Sequence, residues 1–129
     1  FEQPGCADCD EMHLTSLQDA DTRNLLQRFE VYRMNVKSGA AVITPGGART
    51  TAAQWARTLN VLYTPSVLLF DGAGREVFRV EAYVRRFHLQ SALDYIASGA
   101  YRQEPSFQRY LQVRAETKRD RGERVEIMK

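Results

Sequence analysis

Two cysteines, Cys6 and Cys9, are the entire cysteine content of this 129-residue chain, and only Ala7 and Asp8 separate them. That count excludes a disulfide-dense scaffold and a four-cysteine zinc site. Closing so short a loop removes little entropy from the unfolded chain, so reactivity rather than stability explains the pair. Stability must therefore come from a packed apolar core, for which the length and a 43% apolar content suffice in one domain. A net charge of +2 lacks the clustered basic surplus that nucleic-acid binding wants. No apolar run approaches the ~18 residues of a membrane span, the longest being of four residues, such as Val67-Leu68-Leu69-Phe70.

Along the chain, apolar spacing predicts helix from Cys6 to Phe29, broken into two pieces at Asp19-Ala20-Asp21. Val31 to Val36 alternates as a strand with one covered face. Lys37 to Arg49 reads as a loop, with Thr44-Pro45-Gly46-Gly47 its clearest turn. Thr50-Thr51 caps a short helix through Leu59. Ser66 to Phe70 is a buried strand, Asp71-Gly72-Ala73-Gly74 a hairpin turn, and Glu76 to Ala82 the returning strand. Two helices follow, Arg86 to Ser98 stopped by Gly99, and Ser106 to Lys118. The stretch 104–129 is thus a C-terminal helix with a charged tail, in which Val125, Ile127 and Met128 are the apolar exceptions. This mixture predicts an α/β layered domain spanning residues 1–129. Its first helix requires a preceding strand that ends at about Phe1, so most of that strand is expected from residues upstream or from a partner chain.

A Cys-x-x-Cys at a helix start sets the first sulfur where free backbone N–H groups and the helix dipole favour a thiolate. The second sulfur, nearly one turn on, is placed to attack a mixed disulfide. Cys6 is therefore the candidate nucleophile and Cys9 the resolving thiol, a cycle that needs no cofactor. Half of many zinc sites has the same spacing, and thiolates with a thioether also suit Cu(I). A copper- or zinc-binding protein using Cys6, Cys9 and His13 or Met12 is the alternative. A non-catalytic interaction domain is a third reading, against which both thiols argue.

Cys6-Ala7-Asp8-Cys9 before a long helix, and Thr64-Pro65 before an apolar strand and glycine-containing hairpin, resemble the thioredoxin superfamily. The Pro4-Gly5-Cys6 entry, Met12-His13, Gly99-Ala100-Tyr101, Ser106-Phe107 and Tyr110-Leu111 are most similar to SoxW-like periplasmic thioredoxins of sulfur-oxidising bacteria. The resemblance runs to about Arg114. It implies a thioredoxin-like fold, a central mixed β-sheet flanked by helices, here with an extra C-terminal helix. It further implies a cis Thr64-Pro65 bond facing the sulfurs and presenting backbone to substrate. A periplasmic location, protein disulfide clients and an upstream thiol or membrane electron donor follow from the same resemblance. Two departures stand out. Gly5 replaces the family's Trp, and the acidic residue that assists the resolving cysteine would fall just before Phe1.

Ala7 and Asp8 bear on redox direction. A carboxylate beside the sulfurs disfavours a thiolate and so points toward a reductase, although Asp8 also suits the first turn of a helix. His13, one helical turn beyond Cys9, either tunes the thiols or packs as a half-buried residue, the second being favoured. His88 reads as structural or exposed. Trp55, among Ala52, Ala56 and Leu59, reads as a packing residue rather than a ligand platform. Arg85-Arg86 and Lys118 to Arg121 read as solvated faces, and the 37–49 loop as a candidate substrate-selecting element.

Overall fold

A computed structural model describes residues 1–125. Ile127 and Met128 of the tail lie outside the described residues. The chain divides into two compact units, Phe1–Met12 with Val31–Tyr83, and His13–Glu30 with the residues from Val84 onward.

In the first unit, helix α1 (Ala7–Leu14) begins, its final two residues belonging to the second unit. The loop read over residues 37–49 is instead partly a hairpin, β1 (Ala41–Ile43) paired antiparallel with β2 (Arg49–Thr51). The reading failed there because strands this short, with Ala41, Ile43 and Arg49 exposed, carry no readable alternation. Its turn does fall at Thr44–Gly47, where Thr44 Oγ1 accepts from the Ala48 N–H at 3.1 Å and the Gly47 N–H donates to the Thr44 carbonyl at 2.8 Å. Helix α3 (Ala52–Thr58) follows directly, capped as expected by Thr51, whose hydroxyl accepts from the Gln54 N–H at 3.2 Å.

Strands β3 (Val67–Phe70) and β4 (Glu76–Val80) form the second hairpin, with Val67 opposite Val80 and a register shift between Leu69 and Phe70. Phe1 exchanges two backbone hydrogen bonds with Ser66, at 2.7 and 3.0 Å, just ahead of β3. On the other side Glu2 makes a parallel bridge with Asn35, through Met34 and Val36 at 2.8 and 2.9 Å. The first two residues thus bond on both sides, to Ser66 on one and in parallel with Asn35 on the other, while the named strands form two two-stranded antiparallel sheets. The strand expected over Val31–Val36 shrinks to this one bridge. Val31 and Tyr32 are exposed, so its first half has no covered face to hold it. Trp55 packs against the tilted ring of Phe1 and stacks on Phe70, at centroid distances of 5.4 and 5.6 Å, which makes it a packing residue.

The β3–β4 turn is held by Asp71. Its Oδ1 accepts from the N–H groups of Ala73 and Arg75 at 2.9 and 3.0 Å. Gly74, at φ +83°, meets the other hairpin: a Cβ there would lie 2.7 Å from the Gly46 nitrogen, so only glycine fits. The backbone N–H of Arg75, first among several donors, holds the Asp71 carboxyl below its ordinary pKa. A depressed folded-state pKa contributes stability above the unfolded value, and this is lost as pH falls through the folded one. Asp71→Ala should therefore lower Tm at pH 7, and the gap from the parent should narrow in thermal scans near pH 2.

In the second unit, α2 (Ala20–Leu26) starts where the sequence breaks, because Asp19 caps it by accepting from the Asp21 N–H at 3.0 Å. Helix α4 (Arg86–Ala97) is the most enclosed element, burying Phe87, Leu89, Gln90, Ser91, Ala92, Leu93, Tyr95 and Ile96. Its polar members are satisfied: Gln90 Nε2 donates to Asp19 Oδ1 at 2.8 Å and to Thr22 Oγ1 at 3.0 Å. Gly99 and a 3-10 turn over Ala100–Arg102 lead to α5 (Phe107–Asp120), capped by Ser106. Leu111 and Ala115 of α5 join Phe87 in one apolar cluster, edged by Phe107 and Val125. The Tyr110 hydroxyl donates to Asp94, and burial, reinforced by that carboxylate, raises the phenol's pKa. His88 is half-buried with its ring 5.5 Å from Phe107.

Candidate active site

The two cysteines lie at the N-terminus of α1. Cys6 precedes the helix as its cap residue, its carbonyl accepting from the Asp10 N–H at 3.1 Å. Gly5 enters at φ +73°, a left-handed conformation that a side chain such as Trp would strain. That conformation gives a physical reason for glycine ahead of the first cysteine. Ala7 and Asp8, in the first turn, are exposed.

The sulfurs are bonded to each other, with Cα atoms 5.2 Å apart. Their surroundings differ sharply. Cys6 is half-buried, whereas Cys9 is 2% exposed. Two donors point at Cys6 Sγ: the Cys9 N–H at 3.1 Å and the Thr64 hydroxyl at 3.5 Å. The Thr64 carbonyl oxygen lies 3.6 Å from the same sulfur. Donors aimed at a sulfur stabilise its thiolate over its thiol. The chemistry this arrangement suits is nucleophilic, with one half-buried sulfur that receives donors and one enclosed partner.

Thr64, 58 residues from Cys6 in sequence, is thus brought onto the site. The Thr64–Pro65 peptide bond is cis and Pro65 is buried. Sequence reasoning named Thr64 for its backbone and missed its hydroxyl. It also missed Gln3, whose Nε2 donates to Thr64 Oγ1 at 3.0 Å. Leu62 and Tyr63, 74% and 61% exposed, were missed as well. They place apolar surface directly before Thr64, and such exposure leaves no mark in the sequence. Among the described residues, no group of three His, Cys, Asp or Glu side chains is placed to hold a metal ion. No helix among them is long and apolar enough to cross a membrane.

The backbone arrangement matches a solved structure of a thioredoxin-fold protein from Helicobacter pylori, with a TM-score of 0.77 at 18% identity. The match covers 93% of this chain and 81% of that one. No curated protein sequence matches the chain significantly. A family model for the thioredoxin-like domain matches residues 1–97, which takes in the cysteine pair, Thr64-Pro65, both hairpins and α4. With that match over most of its length, the chain belongs to the thioredoxin-like domain family.

Proposed function

We propose that this protein is a thiol–disulfide oxidoreductase that reduces protein disulfides, with Cys6 as nucleophile and Cys9 as resolving thiol. The observation that carries the reading is the asymmetry of the pair. Cys6 is half-buried and its Sγ receives two hydrogen-bond donors, while Cys9 is 2% exposed.

Starting from the dithiol form, the Cys6 thiolate attacks one sulfur of the client disulfide. A Cys6–client disulfide forms and the client's other sulfur leaves as a thiolate. Cys9, having lost its proton, attacks Cys6 Sγ and expels the client's second thiolate. The client gains two electrons and the protein becomes the Cys6–Cys9 disulfide. The helix N-terminus and the two donors stabilise the attacking thiolate. Thr64 and Pro65 present backbone to an extended client strand beside the sulfurs, and Leu62 and Tyr63 supply apolar contact at its edge. Asp8 opposes the thiolate only weakly, because its exposed charge is screened by solvent. With the Thr64 carbonyl oxygen facing the sulfur, it disfavours an extreme oxidant.

Resemblance to SoxW-like thioredoxins supports a periplasmic setting. Its clients are then sulfur-metabolism or cytochrome-maturation proteins, and a membrane electron carrier regenerates the dithiol. The test is the reduction potential of the metal-free protein, obtained by counting thiols after equilibration with dithiothreitol or glutathione buffers. A two-electron transition near the ~−270 mV of thioredoxin is expected. A potential above the ~−180 mV isomerase range would overturn the reductase direction. Thiols that form no disulfide and are protected only by added copper or zinc would favour metal binding instead.

A further inference from the structure

We propose that Gln3 is a positioning residue for the Cys6 sulfur, acting through the Thr64 hydroxyl; the proposal rests on Cys6 being the attacking thiol. A threonine hydroxyl has a single hydrogen and two lone pairs, and it rotates to suit its neighbours. Gln3 Nε2 donates into Thr64 Oγ1 at 3.0 Å, and Thr64 Oγ1 lies 3.5 Å from Cys6 Sγ. With a lone pair occupied by Gln3, the hydroxyl hydrogen is left for the sulfur. Gln3 itself is held by the pairing of its neighbour, since Glu2 is bonded on both sides of Asn35 through Met34 and Val36.

Gln3, Thr64 and Cys6 are all half-buried, so each hydrogen bond polarises the next more than it would in water. The relay favours the two redox states unequally. A disulfide sulfur is a weak acceptor, whereas a thiolate carries full charge and forms charge-assisted bonds. Gln3 therefore stabilises the dithiol form, lowers the Cys6 pKa and shifts the pair toward the oxidant side. Its amide bonds the Thr64 hydroxyl rather than a sulfur. Its contribution is also separate from that of the helix N-terminus, which a change at residue 3 leaves in place.

The test compares the full chain with Gln3→Met, Thr64→Val and the double variant. Cys6 ionisation is followed by thiolate absorbance, and the thiol–disulfide equilibrium is set against glutathione. Gln3→Met keeps the side-chain length and removes the donor. It should raise the Cys6 pKa and favour the disulfide by three- to tenfold, or ~15–30 mV. Thr64→Val should shift both readouts in the same direction by at least as much, and the double variant should match Thr64→Val alone. Unchanged values in Gln3→Met, a shift of opposite sign (Gln3 then accepting the hydroxyl hydrogen), or additive shifts would each overturn the relay. A parent protein that never equilibrates with glutathione overturns the redox reading itself, and the relay with it. Should Gln3→Met not fold, the parent's Gln3 side-chain amide resonances provide the readout. They should move at the midpoint of Cys6 ionisation, and flat traces would overturn the proposal.

Discussion

Cys9→Ser, mixed in its reduced form with a disulfide-bearing protein, is expected to accumulate as a covalent adduct through Cys6. The attack needs only the accessible sulfur, so the first half of the exchange proceeds. Release needs the second sulfur, three residues on and 2% exposed, and serine cannot supply it. Cys6→Ser should bring turnover of a protein disulfide down to the uncatalysed background. Its remaining thiol lies inside the packed unit, out of a client's reach and without the donors that face Cys6. Non-reducing electrophoresis with peptide mapping checks the first result, and an insulin-reduction assay the second. Full activity in Cys6→Ser would mean that the two roles are misassigned.

The largest effect on stability is expected at Leu89. It is 1% exposed on α4, the helix with most of its residues enclosed. Leu89→Ala removes buried methyl groups and leaves a cavity that close packing only partly collapses, at a cost of about 2–5 kcal/mol. A fall in Tm on the order of 10 °C should follow. Val113, 56% exposed on α5, provides the contrast: Val113→Ala should stay within about 0.5 kcal/mol. Thermal or denaturant unfolding separates the two. Similar small losses at both positions would show that the interior of the second unit tolerates voids.

Much of the arrangement was readable because it depends on near neighbours. The Cys6–Cys9 spacing, the break at Asp19, the cap at Thr51 and the turn held by Asp71 each involve groups within four residues. The Thr64-Pro65 pair was legible only through family resemblance, since nothing local distinguishes it from a proline that opens a strand. What stayed hidden is set by pairing at long range. Phe1 and Ser66 join across 65 residues, and Gln3 reaches Thr64 across 61. Neither leaves a periodic trace. The reverse error occurred at Val31–Val36, where alternation suggested a covered face that Val31 and Tyr32 do not have. In β1 and β2 the backbone ladder, rather than an apolar stripe, makes the strand.

The family match ends at Ala97, the last residue of α4, but the apolar cluster that α4 enters runs on past it. Phe87 lies inside the matched span and is 5% exposed, in a cluster completed by Leu111 and Ala115 from beyond it. The end of the family match and the boundary drawn by solvent therefore differ. A chain ended at the first would carry a bare aromatic face and tend to aggregate, unless Phe87 and its neighbours were exchanged for polar residues. Helix α5 is best understood as a resident cover for the face of α4 that carries Phe87.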